Sequence, residues 1–173
     1  PRRFGKSLTV NMLQHYYDIL AKDKFEALFG DLYIGKHPTR DRNSYLVLYL
    51  NFSGIVGELH NYRKGLDAHC QTMFDYFCDI YADYLPKGIK EELDKKEGAV
   101  EQFEYLFTER NKTNQRIYLF IDEYDHFTNA ILSDIESLHR YTDETYGESY
   151  LRAFFNKIKA GPIPASSVVS SPA

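Results

Sequence analysis

The chain is predicted to be an α/β domain built on a mostly parallel sheet. Two runs with almost no polar alternation, Tyr45 to Phe52 and Arg116 to Ile121, have the pattern of strands covered on both faces. Long helical stretches lie between them, as parallel pairing requires. The third observation is Gly5-Lys6-Ser7 at the mouth of a helix, matched by Asp122-Glu123 at the end of the second run. A glycine-lysine-serine turn opening a helix suits a phosphate chain, and acids at the end of a buried strand suit magnesium and an attacking water.

Ser7 to about Leu20 reads as the helix after the phosphate loop, with Leu8, Met12, Leu13, Tyr16, Tyr17 and Leu20 at the three-and-four spacing of an apolar face. Gly30 and Gly35 punctuate a loop-rich stretch whose Leu28, Phe29, Leu32 and Ile34 are expected to cover the core. The first strand is broken by Ser53-Gly54. From Glu58 to about Tyr84 the apolar positions fit one long helix or two joined ones, stopped before Pro86. A charged segment, Ile89 to Glu97, is expected as a short solvent-facing helix. Ala99 to about Thr108 comes next as a helix with Val100, Phe103, Leu106 and Phe107 inward. Asn111 to Asn114 form a turn before the second strand. Ser133 to Arg140 and Glu148 to Ala160 are further helices, the latter ended by Gly161-Pro162. Residues 162–173, rich in Ser, Pro and Ala, read as a disordered or artificial tail.

At 173 residues the chain is long enough for one core, and residues 1–161 are assigned to one partial domain. A net charge of −4, with basic residues scattered, gives no electrostatic case for nucleic acid, which would be reached only through regions outside this chain. No run approaches the ~20 apolar residues of a bilayer crossing, and no secretory leader pattern is present, so a cytoplasmic protein is expected. Cys70 and Cys78 lie more than two helical turns apart and read as reduced, small core residues.

In the phosphate loop, consecutive backbone N–H groups and a helix N-terminus converge on oxygen anions. Gly5 would let the backbone pass close to the phosphates, Lys6 would reach the terminal ones, and the Ser7 hydroxyl would take one place around magnesium. The first glycine of such a loop belongs five residues before Gly5, upstream of residue 1. Arg2 and Arg3 either add phosphate contacts or pack on a neighbouring surface. At the acidic strand end, Asp122 would orient the magnesium hydration shell, and Glu123 would activate the water attacking the γ-phosphoryl group. The bland alternative is that both acids end a strand and cap the next helix, with Asp125 as a further cap.

Pro1-Arg2-Arg3-Phe4-Gly5-Lys6-Ser7-Leu8 together with Ile121-Asp122-Glu123-Tyr124-Asp125 resembles the AAA-ATPase-like domain family, a bacterial group related to the P-loop ATPases. Leu28 to Ile34 and Tyr49 to Ser53 resemble its spacing landmarks, and the similarity covers roughly residues 1 to 161. The resemblance implies a P-loop NTPase-like three-layer sandwich that binds ATP and Mg2+, in longer relatives often joined to a C-terminal nuclease-like domain. It assigns Gly5, Lys6, Ser7 and Leu8 to the nucleotide, Ser7 and Asp122 to the metal, and Lys6 and Glu123 to catalysis. Tyr124 would cover the site and Asp125 would hold its loop. The implied function is magnesium-dependent ATP hydrolysis coupled to a protein partner or attached domain; a noncatalytic nucleotide-responsive binding or assembly module is the alternative. Against this pattern the chain reads as truncated at both ends, lacking the strand that feeds the loop and the one after the Phe154-to-Ala160 helix. Hydrolysis is therefore expected of the complete domain, and little or none of these residues alone.

Other residues point less clearly. Asn51 and Ser53, at the first strand's end, either face the nucleotide or satisfy strand-end backbone groups. His126 comes just after the acidic signature, but a loop-packing role is the more ordinary one. His15, His37, His60, His69 and His139 form no ligand spacing. The 15 Tyr and 12 Phe fit helix packing better than base stacking, since no basic track is interleaved with them.

Overall fold

The computed structural model describes residues 5–55, 62–125, 146–160 and 168–170. Helix α1 spans Lys6–Tyr17, and the short helices α2 and α3 span Phe25–Phe29 and Tyr33–Lys36. Strand β1 (Tyr45–Asn51) is followed by α4 (Tyr62–Ile80), α5 (Ile89–Leu93) and α6 (Gly98–Glu109) before β2 (Arg116–Asp122). Helix α7 (Tyr146–Ala160) and the three-residue β3 (Val168–Ser170) complete the described elements. The expected helix over Ser133 to Arg140 lies outside the described residues.

The sheet order is β1-β2-β3, with both pairings parallel. Its register sets Tyr45 against Arg116 and, at the other end, Asn51 against Asp122. Alternation divides each strand between two cores. Leu46, Leu48 and Leu50 with Ile117, Leu119 and Ile121 face the larger core, filled by Phe74, Phe77, Phe103 and Phe154 of α4, α6 and α7. Tyr45, Val47, Tyr118 and Phe120 face the other way, onto Val10, Leu13 and Tyr17 of α1. Covering both faces explains the unbroken apolar runs. Each fully buried side chain of this kind contributes about 2 kcal/mol.

Several boundaries differ from the sequence reading. Strand β1 ends at Asn51, because Phe52 is fully buried and begins a 3-10 turn. The apolar face expected on α1 is only partly used: Leu8, Met12 and Leu20 are 66%, 40% and 44% exposed. A 3.6-residue period admits neighbouring stripes, and the sheet takes Val10, Leu13 and Tyr17, while Tyr16 turns toward Phe25 and Phe29 in a small separate core. The helix stops at Tyr17 because Asp18 adopts an extended conformation and caps the next turn through Leu20 N. Helix α5 is not merely solvent-facing, since Ile89 and Leu93 are buried. Of the four residues expected as core cover, Phe29 is buried, whereas Leu28, Leu32 and Ile34 are 47%, 42% and 38% exposed.

Within the segment expected as a tail, and contrary to the expectation that no strand follows the Phe154-to-Ala160 helix, Val168–Ser170 pair in parallel with Leu119–Ile121. Three residues carry no readable periodicity, and such pairing rests on backbone hydrogen bonds. Cys70 and Cys78 are free and buried, and burial pushes the Cys78 thiol up to about 12. No helix among the described residues is long and apolar enough to cross a membrane.

One side chain joins the start of β1 to the end of the long crossover helix. The Tyr81 hydroxyl accepts from Val47 N at 3.0 Å and donates to Asp18 Oδ1 at 2.8 Å. Tyr81→Phe strands a buried backbone N–H and is expected to cost about 1–3 kcal/mol. A urea midpoint unchanged by this substitution would show that the hydroxyl contributes nothing.

Candidate functional site

The site lies on the α1 face of the sheet. Side chains alternate along a strand, so Tyr49 and Asn51 of β1 and Asp122 of β2 all share the face onto which α1 packs. Helix α1 starts at Lys6, directly beside the carboxyl end of β2. Its N-cap is Gly5 at φ 78°, ψ 15°, and no acid occupies the first turn. A Cβ at Gly5 would meet nothing within 4 Å among the described residues, and glycine suits the left-handed backbone here. The first helical bond is Thr9 N to Gly5 O at 2.8 Å, which leaves the N–H groups of the first turn directed outward for an anion.

Lys6 bridges the two acids. Its Nζ is 2.8 Å from Asp122 Oδ1 and 3.3 Å from Glu123 Oε1. Asp122 is 5% exposed, and such a carboxylate needs partners to stay charged. Oδ1 accepts from Lys6 and from Glu123 N at 3.0 Å, while Oδ2 accepts from the Tyr49 hydroxyl at 3.0 Å. Burial pushes the Asp122 carboxyl upward, but the Lys6 ammonium, the Tyr49 hydroxyl and the Glu123 amide together hold it below its ordinary value. The same contact with Asp122, ahead of a smaller desolvation effect and the Glu123 contact, raises Lys6 above its ordinary value. Glu123 leaves the strand at φ 56°, a left-handed conformation that costs a non-glycine residue of order 1 kcal/mol and that recurs at functional turns.

The remaining candidates fall into place around this pair. Ser7 and Leu8 are exposed in the first turn of α1, with Leu8 at 66%. Asn51 and Ser53 satisfy the strand end, since Asn51 Oδ1 accepts from Ser53 N at 2.9 Å. Asn51 also reaches toward the acids, because its Nδ2 donates to the Tyr49 hydroxyl at 3.0 Å. The Tyr124 ring packs edge-on against Phe155 of α7 at 5.8 Å. Asp125 is half-buried, its Oδ1 without a hydrogen-bond partner among the described residues. Pro1, Arg2, Arg3, Phe4 and His126 lie outside the described residues, and His15 bonds locally to Asn11 O. Tyr49 is the residue that sequence reasoning missed. Its signals were its place in the Tyr49-to-Ser53 landmark and a tyrosine two positions before an asparagine, on one face of an apolar strand.

Among the described residues no three His, Cys, Asp or Glu side chains gather as a cage for a cation. Asp122 fits a less demanding ion. A carboxylate has about four lone-pair positions; three are used here, which leaves one free, and a second would become free were Lys6 drawn away. One carboxylate oxygen, with water and phosphate supplying the rest, matches the way magnesium is held beside nucleotides.

No curated protein and no solved structure is a significant match to the chain. The model of the AAA-ATPase-like family, described as "Predicted AAA-ATPase", matches residues 1–169. Nearly the whole chain is therefore covered, and the chain belongs to the AAA-ATPase-like family.

Proposed function

We propose that this chain is an ATP-binding unit of P-loop NTPase-like, three-layer α/β architecture that couples magnesium-dependent ATP hydrolysis to a protein partner or attached domain. The observation that carries this reading is the convergence of Lys6, at the mouth of α1, on Asp122 and Glu123, at the carboxyl end of β2, within 2.8 and 3.3 Å. Ligands of open parallel sheets bind at that end. The two free, buried cysteines fit a reducing compartment such as the cytoplasm.

In this reading the N–H groups of Lys6, Ser7 and Leu8, just after the Gly5 turn, receive phosphate oxygens. Lys6 leaves Asp122 for the terminal phosphates. The oxygen it vacates on Asp122, together with the Ser7 hydroxyl, is then available to Mg2+, which neutralises charge on the phosphate chain when bound. Glu123, released from Lys6 at the same moment, becomes the base that accepts a proton from the attacking water. The ion pair thus acts as a latch that a phosphate chain opens.

Phosphate release and ATP binding measured on the same samples of the complete protein and of its Glu123→Gln variant test the proposal. Binding within about threefold, with release lowered about 100-fold or more, is expected for loss of a general base. Equal release from both proteins would remove Glu123 from the mechanism. Binding without turnover in either would favour the nucleotide-responsive module, and failure of the unaltered protein to bind ATP would overturn both readings.

A further inference from the structure

We infer that Tyr49, oriented by Asn51, is a positioning residue that dedicates one oxygen of Asp122 to the protein and leaves the other for exchange between Lys6 and a magnesium–nucleotide. The inference rests on the proposed nucleotide site.

Proton directions in this chain of contacts are fixed by one group whose role is unambiguous. Ser53 N is a backbone donor, so the Asn51 atom 2.9 Å from it is the carbonyl oxygen Oδ1. The other end of the amide, Nδ2, therefore faces the Tyr49 hydroxyl at 3.0 Å and donates to it. A phenol has a single proton. With Asn51 donating to Tyr49, that proton is committed to Asp122 Oδ2, 3.0 Å away. The relay runs from the backbone at the end of β1, through two side chains of one strand face, to a carboxylate on the neighbouring strand. The parallel register places Asn51 directly beside Asp122, with Tyr49 two residues behind it on the same face.

The consequence is a division of labour between the oxygens. Oδ2 is held by a neutral donor that a ligand has no reason to displace. Oδ1 is held by the Glu123 amide and by Lys6, and Lys6 is the partner that phosphate attracts. Tyr49 also fixes the rotation of the carboxylate, so the oxygen vacated by Lys6 faces the mouth of α1. Without the hydroxyl the carboxylate can turn, and its free lone pairs no longer present themselves at one place. Bound magnesium should feel this change, whereas phosphate contacts to α1 should not. An ordering effect on a side chain of this kind acts on the position of a ligand more than on the existence of its site.

Calorimetric titration of the protein with ATP, first in chelator and then over a range of MgCl2, tests the inference. Tyr49→Phe is expected to change metal-free ATP affinity by less than about threefold and to raise the magnesium concentration giving half-maximal enhancement about tenfold. A purely structural tyrosine would lower the melting temperature and leave that magnesium concentration unchanged, and this result overturns the inference. Asn51→Asp supplies a second variant: it keeps the acceptor for Ser53 N but withdraws the donor from Tyr49, freeing the phenol proton to turn away from Asp122. The same rise is expected, and no rise overturns the inference even where Tyr49→Phe does not fold. Absence of ATP binding by the unaltered protein would overturn the nucleotide reading and this inference together, whereas binding with normal magnesium response in both variants would overturn the inference alone.

Discussion

Asp122→Asn is expected to raise the affinity for metal-free ATP about tenfold while abolishing the enhancement by magnesium and lowering turnover by about 100- to 1000-fold. The first effect comes from the latch. In the ligand-free protein Lys6 is held by a buried carboxylate at 2.8 Å, and a phosphate chain must compete with it. Charge-assisted contacts of this type contribute about 1.5–3 kcal/mol, less when one partner is partly exposed as Lys6 is. Removing the competing charge while keeping the side-chain shape releases the lysine; Tyr49 retains an acceptor in the asparagine carbonyl, and the Glu123 N–H, then facing the amide NH2, gives up its contact. The second effect comes from losing the anionic ligand for the cation, and preorganised charge of this kind commonly carries two to three orders of magnitude in rate. Damage to the fold would lower affinity under all conditions. Calorimetry in chelator with a parallel phosphate-release assay separates the two, and a fall in metal-free affinity would refute the latch.

Lys6→Met is expected to lower ATP affinity by about 10- to 100-fold, with and without magnesium, and to destabilise the folded chain at neutral pH. The affinity term is the loss of the ammonium contact to phosphate. The stability term arises because Asp122 would keep its burial and lose its cation, and an uncompensated buried charge is costly. The direction of each shift sets the sign with pH. Asp122 is depressed below its ordinary value, so its contribution is present above about pH 4 and is lost as the medium is acidified through its lowered value. Lys6 is raised, so its contribution is present below 10.5 and is lost only as pH climbs past its raised value. The difference in stability between the protein and Lys6→Met should therefore be widest between these limits and narrow in acid. Urea unfolding at pH 7 and pH 3 checks it; an equal difference at both would mean that the ion pair contributes nothing to folding.

Local elements, and the chemistry on offer, were legible in the amino acids alone. Tyr45 to Phe52 and Arg116 to Ile121 read as strands, each within one residue of the observed end, because burial on both faces demands uninterrupted apolar side chains. Lys6, Asp122 and Glu123 stood out as candidates because few other tasks combine a lysine at a glycine turn with acids at a buried strand end. Their distance was not legible. Lys6 and Glu123 lie 117 residues apart in the chain, and only packing of α1 on the sheet brings the lysine onto the carboxylates. Packing also chose Val10, Leu13 and Tyr17 of α1 over Leu8 and Met12, which a 3.6-residue period cannot rank. Strand β3 escaped notice because backbone pairing needs no side-chain pattern. Asn51 was legible as a strand-end candidate with two readings, but the role of Tyr49 escaped notice because a tyrosine in an apolar strand is indistinguishable from core until the register of β1 against β2 is known. A shift of one residue would turn both side chains to the opposite face, away from Asp122. Periodicity reports which residues share a face. The partner across that face is set by long-range pairing, which no local pattern encodes, and so the meeting of Lys6, Tyr49 and Asp122 emerges only when the helix and both strands are packed together.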